Sequence, residues 1–224
     1  SQVKLLEALQ KTGKPLVLVI MAGRPLTLNR ESENATSILY VWHAGQEAGN
    51  AIADVLFGSY NPSGKLTTSF PRHVGQVPIY YNHLNTGRPN PGDKFEKFRS
   101  NYLDVENSPL FPFGYGLSYT SFDYGDIKLS SNTMNATGNI KATIAVTNSG
   151  GYDGEEVVQL YTRDMAGSIA RPVKELKDFQ KIMLKKGERK EVSFTLNLED
   201  LKFYNSNLVF AAEPGDFKLF IGSN

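Results

Sequence analysis

Hydrophobic and polar positions follow two different rhythms along the chain. "QVKLLEALQKTGK" sets Val3, Leu6 and Leu9 at helical spacing and stops at Gly13 with Pro15 behind it, the pattern of a helix with a glycine stop. The run "LVLVIMAG" that follows is apolar without interruption, and "SILYVW" at residues 37–42 repeats it. Runs of this kind predict strands covered on both faces, as in a parallel sheet. Next, "GQEAGNAIADVLFG" places Ala48, Ile52, Val55 and Leu56 on one helical stripe, with Gly58 as its C-terminal stop. Parallel sheets need helices on both faces and normally more than two strands. Residues 1–70 therefore read as the closing part of a doubly wound sheet, with its opening part expected upstream.

From residue 122 the period shortens. "NIKATIAVTN" alternates Ile140, Ala142, Ile144 and Val146 with mostly polar neighbours, which predicts a half-buried strand. "EEVVQLYTRD", "VKELKDFQKIML", "KEVSFTLN", "LVFAA" and "DFKLFIG" follow at short spacing, separated by Gly, Asn, Asp or Pro. About seven short strands in about one hundred residues predict an immunoglobulin-like or fibronectin type III-like β-sandwich. The expected fold is thus α/β followed by β, divided into residues 1–121 and 122–224. Residues 71–121, rich in Pro, Gly, Asn and aromatics, show no sustained period. Connections longer than about 15 residues are usually functional or disordered, and this aromatic content argues for order.

Composition narrows the function classes. The 224 residues carry a formal net charge of +1, which gives no broad attraction to nucleic acid or an anionic membrane. "PLVLVIMAG" is too short to span a bilayer. The absence of cysteine excludes disulfides and thiolate metal sites. Asn34-Ala35-Thr36 and Asn135-Ala136-Thr137 fit a glycosylation acceptor pattern that also arises by chance. In "GSYNPSGKLTTSFP", Gly64-Lys65 resembles a phosphate loop only superficially. Gly58 stands one residue too far from Gly64, Leu66 replaces the required Ser or Thr, and a helix precedes the loop instead of a strand.

His43, His73 and His83 are too scattered for a zinc site, and His43, at the end of a strand, is expected to be a hydrogen-bonded structural residue. No G-x-S-x-G elbow supports a hydrolase triad. Glu47 lies at a strand-to-helix junction where ligands bind in open α/β sheets, but an acid there also satisfies free helix amides. Asp104 and Glu106, beside Tyr102, can contact a polar ligand or stand as solvated charges.

"WHAGQEAGNAIADVLFGSYNPSGKLTTSFPRHVGQVPIYYNHLNTGRP" closely resembles the C-terminal part of glycoside hydrolase family 3 β-glucosidases of the bacterial periplasmic type. "TGKPLVLVIMAGRPL" upstream and "PLFPFGYGLSYTSFDY" downstream fit the same family in the same order, so the resemblance covers essentially the whole chain. It implies a parent enzyme with a TIM-like barrel, an α/β sandwich and a fibronectin-like domain, acting as a retaining glycosidase on β-glucosides. The family's nucleophile is an aspartate on the barrel, and its acid/base is typically a sandwich glutamate ahead of the helix expected to open at Ser1. No carboxylate here matches either position, so no catalytic residue is assigned and the isolated chain is expected to be inactive. "NPSGKL" then looks like the family's turn out of the sandwich helix.

The resemblance also implies that the connecting segment reaches the outer rim of the sugar pocket, with Tyr81, Asn82 and Arg88 as substrate contacts. Its length, its turn formers and the aromatics Tyr80, Tyr81, Phe95, Phe98 and Tyr102 make residues 79–106 either a lid over that pocket or a structural strap fastened to the sandwich. No cofactor or metal is expected, and the location is periplasmic or extracellular. The expected partners are the barrel and the first part of the sandwich of the parent chain, and a β-glucoside. An alternative is a carbohydrate or cell-surface binding module using Tyr152, Tyr161 and Tyr204. An independent enzyme built on Glu47, Asp104 or Glu106 is a third reading.

Overall fold

The computed structural model describes residues 2–90 and 92–224. Ser1, where the first helix is expected to open, and Pro91, in the expected tip of the lid, lie outside them. The first half forms helix α1 (Gln2–Gln10), strand β1 (Val17–Ile20), helix α2 (Asn29–Asn34), strand β2 (Ser37–Tyr40) and helix α3 (Ala48–Leu56). β1 and β2 pair in parallel, from Val17 opposite Ser37 to Ile20 opposite Tyr40, as their apolar runs predict.

Their burial departs from expectation. Val17 is 50% and Met21 61% exposed, and α1 buries Leu6 while Val3 and Leu9 face solvent. The apolar side chains of a covered sheet are present, but the described residues cover them only in part, leaving Leu18, Ile20, Ile38 and Leu39 half-buried. β2 also ends before the apolar run does, because Trp42 takes φ 50° and turns the chain out of line. The Trp42 ring instead meets Tyr40 and Phe70 edge-on, and Phe70 continues to Phe111, which stacks on Tyr115. This aromatic row is the packed centre of the first half, with Phe70 fully buried. α3 stops as predicted, since Gly58 reaches φ 81°, a conformation that glycine adopts without steric cost.

The second half comprises β3 (Phe122–Tyr124), β4 (Lys128–Leu129), β5 (Asn139–Asn148), β6 (Gly154–Asp164), β7 (Glu175–Leu184), β8 (Arg189–Asn197), β9 (Phe203–Tyr204), β10 (Phe210–Ala211) and β11 (Phe217–Gly222). One antiparallel sheet runs β11-β6-β7. In the other, β5 pairs with β8 along one edge and with β3 and β4 along the other. The short β9–β10 pair stands apart, so "LVFAA" contributes only Phe210 and Ala211. Ile144, Val146, Val158, Leu160, Leu184, Val192, Phe194 and Leu196 form the core between the two sheets. Inward and outward residues alternate as the period of two requires.

β6 breaks the one-sided pattern. Val158 and Leu160 belong to the sandwich core, yet Gln159 and Tyr161 on the opposite phase are buried as well. That outer face is covered by the connecting segment: Gln159 donates to the Gly114 carbonyl at 3.2 Å, and Tyr81 meets Tyr161 edge-on at 6.1 Å. Tyr161 is therefore a packed residue rather than an exposed stacking ring.

Candidate functional site

Residues 66–121 form a strap that leaves the first half, crosses the sandwich and returns. Its two ends run side by side, through Leu66 N–H to Tyr115 O, Gly114 N–H to Leu66 O and the Phe70–Phe111 bridge. One buried polar side chain organises the turn between them. Gln76, 1% exposed, accepts from the Arg72 N–H at 2.7 Å and donates to the Glu106 carbonyl at 2.8 Å. Burying an amide is tolerable only with its bonds satisfied, so Gln76 fixes both strands of the strap at once. Arg72 adds an ion pair to Glu106 at 2.8 Å and a bond to the Ser108 carbonyl at 3.1 Å.

Beyond this anchor the strap docks on β7. Val173 N–H donates to the His83 carbonyl at 2.9 Å, and Leu176 N–H to the Tyr81 hydroxyl at 3.2 Å. The outer loop is knitted internally. Ser100 N–H bonds the Arg88 carbonyl, Asn101 donates to Glu96 O and Arg99 O, and Ser108 N–H bonds Asp93 at 2.8 Å. Two cavities of about 590 and 450 Å³ open between this loop and the rest of the strap, sharing Ile79, Tyr80, His83, Asn90 and Asn107. Lys174 lines the larger one, with its ammonium 4.8 Å from the Tyr161 ring centre, and burial pushes its pKa down. Burial, aided by Tyr81, pushes the Tyr161 phenol up to about 12.

Tyr81, Asn82 and Arg88 fall in different settings. Tyr81 is half-buried, stacked on Phe113 at 4.2 Å, and lines the larger cavity. Asn82 and Arg88 are exposed, and among the described residues their side chains make no hydrogen bond and line neither cavity. Asp104 is exposed, while Glu106 is held by Arg72. Glu47 sits at the start of α3 but does not cap it, accepting instead from the Asn50 side chain at 2.7 Å. His43 is exposed beyond the end of β2 and makes no hydrogen bond among the described residues, contrary to its expected role; its ring lies over Gly23, where a Cβ would come within 2.5 Å of Nε2. No group of His, Asp and Glu among the described residues is arranged to hold a metal.

"NPSGKL" proves to be an interlock between the two halves. Asn61 donates to the Asp153 carbonyl at 2.9 Å and accepts from Ser118 and the Tyr119 N–H, each at 2.8 Å. Lys65 pairs with Glu156 on β6 at 3.2 Å, with side chains only 12% and 4% exposed. Tyr124 donates to the same carboxylate at 2.8 Å. Beside it, Glu155 accepts from Tyr60 and pairs with Lys181, both at 2.7 Å. Gly116 lets the strap pass close to this turn, since a Cβ there would stand 2.3 Å from the Gly64 carbonyl oxygen.

Comparison with known proteins places this arrangement. Residues 1–119 match the Glycosyl hydrolase family 3 C-terminal domain, and residues 156–224 the Fibronectin type III-like domain. A periplasmic beta-glucosidase of Salmonella typhimurium is 58% identical over 99% of this chain, which spans 29% of that protein. A beta-xylosidase of Formosa agariphila is 46% identical over 100% of the chain, which spans 30% of it. The crystal structure of a beta-glucosidase from Listeria innocua in complex with isofagomine superposes with a TM-score of 0.95 at 43% identity, covering 99% of this chain and 31% of that one. The chain thus spans less than a third of the length of these relatives. With its strap and parallel strands matched from end to end, it belongs to glycosyl hydrolase family 3, whose C-terminal domain it carries over residues 1–119.

Proposed function

We propose that the chain is the C-terminal part of a retaining β-glucosidase, releasing terminal β-linked glucose from glucosides or oligosaccharides, and that it supplies scaffold and pocket rim. The observation that carries this reading is the 58% identity to a periplasmic beta-glucosidase, sustained over 99% of the chain. A retaining glycosidase needs two carboxyl groups about 5–5.5 Å apart, one as nucleophile and one as acid/base. Four of the carboxylates here have other duties: Glu47 holds Asn50, Glu106 holds Arg72, and Glu155 and Glu156 hold Lys181 and Lys65. The catalytic pair belongs to the barrel and the earlier part of the sandwich in the parent enzyme. The exposed faces of β1, β2 and α1 are where that earlier part packs.

In this reading the chain divides near residue 121 into the closing part of the α/β sandwich and the fibronectin-like unit. The strap carries the rim of the sugar pocket. Tyr81 sets its base, fixed by Phe113 and Leu176, while the exposed Asn82 and Arg88 present donors to sugar hydroxyls. The parent enzyme works in the periplasm or outside the cell, as the name of the Salmonella relative suggests.

The test measures aryl β-glucoside turnover by the 224-residue chain and by a longer enzyme containing it. The chain alone is expected to stay at background, and Arg88→Ala in the longer enzyme to lower kcat/KM about tenfold with folding intact. Turnover by the chain alone that vanishes in Glu47→Gln would overturn the assignment. A longer enzyme that cleaves β-xylosides and ignores β-glucosides would refute the substrate.

A further inference from the structure

At the junction of the two halves, on the side of the "NPSGKL" turn, lies a groove of about 900 Å³ that has no part in the strap's rim. Its size falls within the range of ligand sites, roughly 300–1,000 Å³. It is lined by Tyr60, Tyr119, Tyr152 and Met183, with Glu155 and Lys181 among its polar groups. Tyr60 and Tyr119 are each 46% exposed and Tyr152 66%, and among the described residues none of them stacks on another ring. Their faces are open.

Two of the three rings are also held in place. Tyr119 donates to the Val55 carbonyl at 2.6 Å, at the end of α3, and Tyr60 donates to Glu155 at 2.7 Å. A ring fixed at its hydroxyl and free on its face contributes contact area with little loss of rotamer entropy on binding. The Tyr152 carbonyl is tied to Asn148 at 2.7 Å, while its hydroxyl makes no hydrogen bond among the described residues.

Charge selects the ligand class. Glu155 and Lys181 neutralise each other at 2.7 Å, and Asp153 accepts from the Lys186 N–H at 2.8 Å. The Lys186 amide leaves the Asp153 carboxylate charged, so the groove wall disfavours anions and offers a carboxylate acceptor to ligand hydroxyls. Open tyrosine faces suit C–H groups, and the rim of hydroxyl, carboxylate and ammonium suits ligand hydroxyls. An uncharged ligand with apolar C–H faces and hydroxyl edges is a saccharide. We propose that this groove is a second carbohydrate site, distinct from the strap's rim, that takes a neutral oligosaccharide across Tyr60, Tyr119 and Tyr152, its glucose units resting on the glucosidase reading. It holds the polymer without acting on it.

The experiment is calorimetric titration of the 224-residue chain with laminaritetraose and with cellotetraose, which involves no hydrolysis, so that its failure is distinct from failure of the glucosidase reading. Saturable binding of either sugar is expected, weakened at least tenfold by Tyr152→Ala. Tyr204→Ala is the control, since Tyr204 is 63% exposed elsewhere on the surface, beside Phe210. Tyr119→Phe removes the bond to Val55, frees the ring and is expected to weaken binding less than Tyr152→Ala. Absence of binding at millimolar sugar, or equal loss in Tyr152→Ala and Tyr204→Ala, would overturn the proposal. So would hydroxyl-radical footprinting of the longer enzyme in which Tyr152 is protected without sugar, because the groove would then be a protein contact.

Discussion

Replacing Lys65 with methionine isolates the strongest electrostatic contact between the two halves. The substitution keeps most of the side-chain stem and its packing while removing the ammonium that stands 3.2 Å from Glu156. Glu156 is 3% exposed, so solvent cannot replace the lost partner, and the Tyr124 hydroxyl at 2.8 Å is left to hold the carboxylate. Breaking a buried pair costs about 3–5 kcal/mol, and the surviving hydroxyl points to the lower end, about 3 kcal/mol. For a chain of this size about 2–4 °C of Tm goes with each kcal/mol, which gives a drop of roughly 6–12 °C. Urea unfolding of wild type, Lys65→Met, Glu156→Gln and the double variant completes a thermodynamic cycle. Removing both charges is expected to recover part of the loss, since the uncompensated carboxylate is gone, with a coupling of about 1–3 kcal/mol. A loss below about 1 kcal/mol in Lys65→Met would show that the pair behaves as an ordinary surface contact and would refute the interlock.

The neighbouring glycine offers a steric counterpart. Gly116→Ala is expected to cost about 1–3 kcal/mol in denaturant unfolding, because backbone must move away from the new Cβ. Gly64→Ala, whose Cβ would meet nothing within 4 Å, is expected to cost less than about 1 kcal/mol. The exposed pair gives a pH signature: the Lys181 ammonium, with the Tyr60 hydroxyl second, holds the Glu155 carboxyl below its ordinary 4.5. A depressed carboxyl pKa stabilises above that ordinary value and loses its effect as pH falls through the folded one. Wild type should therefore exceed Lys181→Met at pH 7 by less than about 1 kcal/mol, with the gap closing under acid titration below 4.5. Hydrogen exchange should protect residues 138–222 better than residues 1–60, since the sandwich buries its own two-sheet core. Equal protection would remove the basis for treating the sandwich as the more stable unit.

What the sequence made legible was whatever a short-range hydrophobic pattern can encode. The parallel β1–β2 pair and the long strands β5, β6 and β8 sit close to their apolar runs. α2 is a helix without a buried residue, and its "NRESEN" offers no apolar period to read. β3 and β4 are too short to complete one, and each exists by pairing with β5. The interlock was invisible for another reason. Lys65 and Glu156 lie far apart in sequence, and Glu156 looks like any strand glutamate until its phase with Val158 and Leu160 is noticed. A charge on the inward phase of a buried strand needs a buried partner, and that is the one signal that was available. The three tyrosines first grouped as a sugar-stacking set separate in space. Tyr161 is packed under the strap, Tyr204 sits beside Phe210, and Tyr152 alone reaches the junction groove.

The double-sided burial of β6 bears on how such a unit can be inherited. A sandwich closed on its own core can be passed between genes as a cassette, because its outer faces already tolerate water. Here the outer face of the middle strand carries Gln159 and Tyr161, which are finished by Tyr81 and Gly114 from the strap. Excision after residue 121 would strand a buried amide and a buried phenol on a bare sheet. Recombination that moves the sandwich must move the strap with it, and Lys65 as the partner of the buried Glu156, so the unit of exchange is longer than the unit of folding pattern.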